Sequence, residues 1–176
     1  VMMLRRSAIA LAVWSTLVGS SSATLFQPNS AVASSEFTGI YDIGNTIDGS
    51  GLPVGFGPTD AHAEYVQNNH WTTRANQVPA NSFATFTFDN DVTIGTFYLW
   101  NHRSNGIASN AFYEVTEFDL VLRDGGGGIL LELNNLTAAG ETPTAQAYEF
   151  LPVDGVRSVE FLVNSNQGLE QGIGTN

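Results

Sequence analysis

From Phe83 onward, apolar side chains recur at every second position in short runs. Phe86 and Phe88 alternate with Thr85 and Thr87, and Phe97 and Leu99 alternate with Tyr98 and Trp100. The same alternation sets Phe118, Leu120 and Leu122 against Asp119, Val121 and Arg123, and Val159, Phe161 and Val163 against Glu160 and Leu162. Period two puts one set of each run on a single face of a strand. No stretch keeps the three-and-four spacing of an amphipathic helix over helical length, so this part of the chain reads as all-β. Ile129 to Leu133 and Ala147 to Leu151 are further expected strands. Asp89-Asn90-Asp91, Asp124 with the glycines up to Gly128, and Asp154-Gly155 are turn signals between them. Short strands and turns at this frequency predict two packed sheets or a barrel. Gly39 to Asn81, rich in Gly, Asn, Thr and Pro, is expected to wrap one end with loops and short strands, and Asn134 to Thr144 to be a polar connection.

The first 23 residues follow another rule. Arg5 and Arg6 precede an apolar run from Ala8 to Val18, and Ser21-Ser22-Ala23 supplies small residues for cleavage. This is the pattern of a secretory signal peptide. The run is shorter than the ~20 apolar residues a membrane span needs. The expected domain is therefore residues 24–176, one unit with no internal repeat or linker. Its expected destination is extracellular or the cell surface, without membrane insertion after cleavage.

Charge narrows the partners. Loss of Arg5 and Arg6 with the leader leaves four basic residues against 17 acidic ones and moves the net charge from −11 to −13. There is no lysine, so a phosphate backbone or an anionic membrane would be repelled. Nucleic acid is excluded as a partner on this ground. Cations and neutral sugars remain. With no cysteine there is neither a disulfide nor a thiolate zinc site, and the three histidines are scattered in sequence without metal-ligand spacing.

The stretch Asn45 to Pro53, NTIDGSGLP, poses a choice. Its glycines can turn several carbonyls inward, and Asn45, Asp48 and Ser50 add side-chain oxygens, so it is a candidate structural Ca²⁺ site. The same residues suit an Asx turn in which Asp48 bonds the backbone just ahead. Sequence leaves the two readings level.

Taken in order, six segments resemble the discoidin, or coagulation-factor type C, family of galactose-binding-like jelly rolls, in the flavour of its small exported bacterial members. They are AVASSEF at Ala31 to Phe37, NTIDG at Asn45 to Gly49, HWTT at His70 to Thr73, the run Phe83 to Asn105, VTEFDLVLRDGG at Val115 to Gly126, and the run Val153 to Gly168. The resemblance implies an antiparallel β-sandwich with ligand loops gathered at one end and, in many members, a Ca²⁺ at the first loop, one of whose ligands carries over to Asp48. The family's closing strand begins with a Glu that often completes the ion site. This sequence stops at Gly172 to Asn176, where that strand should begin, so either the fragment is truncated before the closing strand of the jelly roll or the site lacks a ligand, and no Glu is assigned.

Sugar sites need an aromatic face for the apolar side of a pyranose and a few polar groups for its hydroxyls. The candidates are His62, Asn69, His70 and Trp71 in the irregular region, and His102 and Arg103 just after Trp100. The His102-Arg103 pair is similar to a His and an Arg that contact ligand in sugar-binding relatives. Trp71 and Trp100 equally suit packing. No nucleophile elbow, zinc-helix motif or phosphate loop is present, so no enzyme is expected. The expected function is a secreted, noncatalytic module that binds carbohydrate or an extracellular surface through its end loops. The alternative is a structural or adhesive matrix protein with no dedicated sugar pocket.

Overall fold

The computed structural model describes residues 25–64, 66–74, 79–103 and 113–170. The expected leader (1–23) and the expected position of the closing strand (172–176) lie outside the described residues. Five antiparallel strands form one sheet in the order β1-β2-β5-β3-β4: β1 Ser30–Ala33, β2 Phe83–Leu99, β3 Val115–Arg123, β4 Ile129–Thr137 and β5 Gln146–Asn166. One helical turn, Gln167–Glu170, follows. Among the described residues no helix is long and apolar enough to cross a membrane.

The sheet makes two layers by bending. Tyr148 and Phe161 both belong to β5, and 13 residues of straight strand would set them about 43 Å apart. Instead both rings pack on Phe118, with centroids at 5.0 Å and 4.7 Å. Phe97, paired with Tyr148 across the sheet, stacks on Phe161 at 6.1 Å. The Phe97–Tyr148 end therefore folds over β3 and the far end of β5.

The bend sits where turns were expected. Between Thr87↔Ser158 and Val92↔Val156, β2 advances further than β5, and between Val92 and Thr96 the excess passes to β5. Bulges of this kind twist a strand without ending it. Gly155 has φ 77°, in the left-handed region that glycine enters without steric cost. Arg157 Nε lies 3.0 Å from Asp91 Oδ1, its Nη1 donates to Asp89 O at 2.7 Å, and Thr93 Oγ1 donates to Asp154 Oδ1 at 2.6 Å. Asp89–Asp91 and Asp154–Gly155 are thus bulges inside β2 and β5 rather than breaks between strands.

The core is the alternating set. Phe118, Leu120 and Val156 are fully buried, Leu122 is 1% exposed, and Val159, Phe161 and Val163 close around them. Each such side chain contributes roughly 1.5–3 kcal/mol. Val121 points to the opposite face and is also buried, flanked across the sheet by Glu132 and Glu160. β4 runs into the expected polar connection as far as Thr137. It gets there through a register shift beside Asn135, whose φ is 58° and whose N–H donates to Asp119 Oδ1.

Candidate functional site

The segment between β1 and β2 has little regular structure and is held by side chain to backbone bonds. Glu36 Oε1 accepts from Ile43 N at 2.9 Å. Asp42 caps the 3-10 turn Ile43–Thr46 by accepting from Gly44 N at 2.6 Å. Asn45 Nδ2 donates to Ile40 O and to His70 O, at 3.3 and 3.0 Å, tying the first loop to the third.

Asp48 Oδ1 accepts from Ser50 N at 2.7 Å, which is the Asx turn. Several carbonyls of the loop are also engaged. Gly44 O accepts from Ile47 and Asp48, Gly49 O accepts from Leu52 N, and Ser50 O faces His62 Nε2 at 3.1 Å. Asn45 presents its amide nitrogen, not its oxygen, to the neighbouring carbonyls. Calcium needs six to eight oxygens. Among the described residues, no three His, Asp or Glu side chains gather to hold a metal. As folded, Asp48 and Ser50 form the Asx turn, and Asn45 ties Ile40 to His70.

Two of the three histidines, His70 and His102, meet in space. His70 and His102 pack edge to face at 5.0 Å, and Tyr41 and Tyr113 flank them at 5.1 and 5.8 Å. His62 stands near both: its positive charge would oppose theirs. Burial is the main force lowering the His70 pKa to about 4, with His62 adding to it and a backbone bond at Val66 opposing. Burial, then His70 and His62, lowers His102 to about 3. Both rings are neutral at physiological pH.

Asn69 sets the His70 tautomer. Its Nδ2 donates to Glu64 O at 2.9 Å, so its Oδ1 is the atom that accepts from Val66 N and from His70 Nδ1, the latter at 2.8 Å. The His70 proton therefore sits on Nδ1. Asn69 is 4% exposed, with its Oδ1 and Nδ2 both hydrogen-bonded within the protein.

His62 closes the second loop. Its Nδ1 lies 2.7 Å from Ala63 O and its Nε2 faces Ser50. Gly51 leaves room for the ring: a Cβ there would lie 2.5 Å from His62 Cε1 and Nε2. Arg103 Nη1 donates to His62 O at 3.0 Å, and Nη2 is 3.8 Å from Glu64 Oε1.

These groups border a cavity of about 880 Å³ that opens at the loop end and runs inward between the layers, where the core residues Phe88, Leu122, Val159, Phe161 and Val163 also line it. Its lining includes His62, Asn69, His70, Trp71, His102 and Arg103, together with Asn45 and Ser50, but not Asp48. Trp71 donates its indole N–H to Ser35 O and Trp100 donates to Asp60 O, each at 3.0 Å, so both rings are fixed while bordering the cleft. Phe56 meets Trp100 edge-on at 5.8 Å. Phe56 and Tyr113 also line the cleft and were absent from the sequence candidates. Phe56 had a signal, an aromatic between Gly55 and Gly57 in a loop; Tyr113 had none. Asn101 is a buried clamp, bonding Val115 N and O, Ala139 O and His102 N.

No protein-family model matches the chain, and no curated protein matches it. Solved structures do. The CBM32 of AlyQ, in complex with 4,5-unsaturated mannuronic acid, is 16% identical with a TM-score of 0.53, covering 82% of this chain and 88% of its own. CpGH89CBM32-5 from Clostridium perfringens, in complex with GalNAc-β-1,3-galactose, is 17% identical with a TM-score of 0.53, covering 79% and 86%. The lectin domain of lectinolysin, complexed with Lewis B antigen, is 13% identical with a TM-score of 0.52, covering 80% and 84%. At these identities the likeness is one of fold. The chain shares their all-β jelly-roll fold.

Proposed function

We propose that this jelly roll is a secreted, noncatalytic carbohydrate-binding module and that the loop-end cleft is its site. One observation carries the reading: Phe56, His70, Trp71, Trp100, Arg103 and Tyr113, from separated stretches of sequence, converge on the loop end of one cavity and combine fixed aromatic rings with hydrogen-bonding groups. A pyranose has one apolar face and a polar edge, and such a surface matches both. Trp100, Phe56 and Trp71 supply apolar area. His70 and His102, whose Nε2 atoms are buried, form a neutral aromatic wall, and the Arg103 guanidinium offers donors.

The site is organised before ligand arrives. Asn69, Asn101 and His62 use their polar atoms on the backbone, so the groups that meet the sugar start in place and little ordering entropy is lost on binding. The structures of similar fold that hold glycans support this reading without choosing a sugar.

A glycan array probed with residues 24–176, in Ca²⁺ and in chelator, tests it. Saturable binding to a defined set, weakened by Arg103→Ala in a variant that melts like wild type, is the expected result. Silence across the array with retained self-association would favour the structural matrix protein instead.

A further inference from the structure

Resting on that reading, we infer that the cleft selects uncharged glycans and discriminates against anionic ones that carry uronate, sialate or sulfate groups. The reason lies in where the cations are. Residues 24–176 have no lysine and four arginines. Arg123 and Arg157 are paired with Glu160 and Asp91, at 2.9 and 3.0 Å. Arg74 is exposed and does not line the cleft. Only Arg103 does, and its guanidinium is held by His62 O and Glu64. The stretches 75–78 and 104–112 contain no basic residue, so sequence supplies no further cation from them.

The histidines do not fill the gap. His70 and His102 pack against each other among aromatic rings, where a second positive charge is disfavoured, and they stay neutral at pH 7. Among the described residues, the one acidic residue that lines the cleft is Glu149, which is exposed. An anionic sugar entering this cleft would lose hydration and find a single guanidinium, already hydrogen-bonded to His62 O and with a carboxylate 3.8 Å away. The acidic excess of the whole domain would slow its approach as well. An uncharged sugar meets none of these penalties.

Calorimetric titration with matched pairs that differ only in charge is the test: galactose- against galacturonate-terminated oligosaccharides, and unsulfated against sulfated galactan fragments, at pH 7 and 0.15 M salt. The neutral member of each pair is expected to bind at least tenfold more tightly. Equal or tighter binding of the charged member overturns the inference and leaves the glycan reading standing. Absence of binding by either member, with none on the array, overturns both. Glu64→Gln, at a side chain 57% exposed, frees Arg103 without disturbing the core and should raise affinity for the charged member alone by several-fold. An unchanged ratio in that variant overturns the role given to Arg103.

Discussion

Acid should destabilise this domain well before its carboxylates protonate. His70 and His102 have native pKa values of about 4 and about 3, against 6.5 in an unfolded chain. A histidine whose native value is depressed stabilises the fold fully above the unfolded value. That stability is lost as pH falls below 6.5, and the loss levels off only below the native value. At pH 5 the unfolded state gains about 2 kcal/mol from protonating His102, which the native state cannot match. His70 is less deeply buried, and solvent screening reduces its share to about 1 kcal/mol. The expected loss between pH 7.5 and pH 5 is therefore about 3 kcal/mol, a large fraction of a small domain's stability. Relief of repulsion in a chain of net charge −11 works the other way, so an observed loss cannot come from that source. Urea unfolding at the two pH values, for wild type and His102→Gln, measures the effect. The variant should keep only about 1 kcal/mol of the pH dependence. Wild-type stability that is flat or rises toward pH 5, or a variant with the full wild-type slope, would refute the burial of neutral histidines.

Three further outcomes follow from the packing. Phe118→Ala removes the ring on which Phe161, Tyr148 and Phe97 converge and should cost about 3–5 kcal/mol by denaturant unfolding; a cost below 1 kcal/mol would mean the two layers do not meet there. Gly51→Ala puts a Cβ against His62 at a φ of +79° and should cost about 1–2 kcal/mol while weakening glycan binding, read by melting and titration in parallel. Asp48→Ala should cost about 1 kcal/mol equally with and without Ca²⁺, because it removes a turn bond; a Ca²⁺-dependent rise in wild-type Tm that vanishes in the variant would restore the ion site.

Legibility in the sequence followed the range of the forces. The alternation of Phe118, Leu120 and Leu122, and of Val159, Phe161 and Val163, named the core because strand facing is set by local geometry. The same reasoning split β2 at Asp89–Asp91 and β5 at Asp154–Gly155. Turn residues also build bulges, and only the partner strand's register decides which forms. The six ligand candidates were found by residue type and loop placement, and all of them border the cleft. Their roles were not legible. Asn69 looks like a sugar-binding amide until its bonds to Glu64, Val66 and His70 are seen, and the histidine cluster depends on contacts such as Arg103 to His62 O, 41 positions apart. Tyr113 enters the site through its ring contact with His102, which no local pattern encodes.

The most direct test of the central claim uses the indole N–H resonances of Trp71 and Trp100, the two tryptophans of residues 24–176. Titrating an uncharged glycan taken from the array should shift one or both, saturating at the Kd found by calorimetry. Saturable binding that leaves both resonances unmoved would place the sugar elsewhere on the domain and contradict the account.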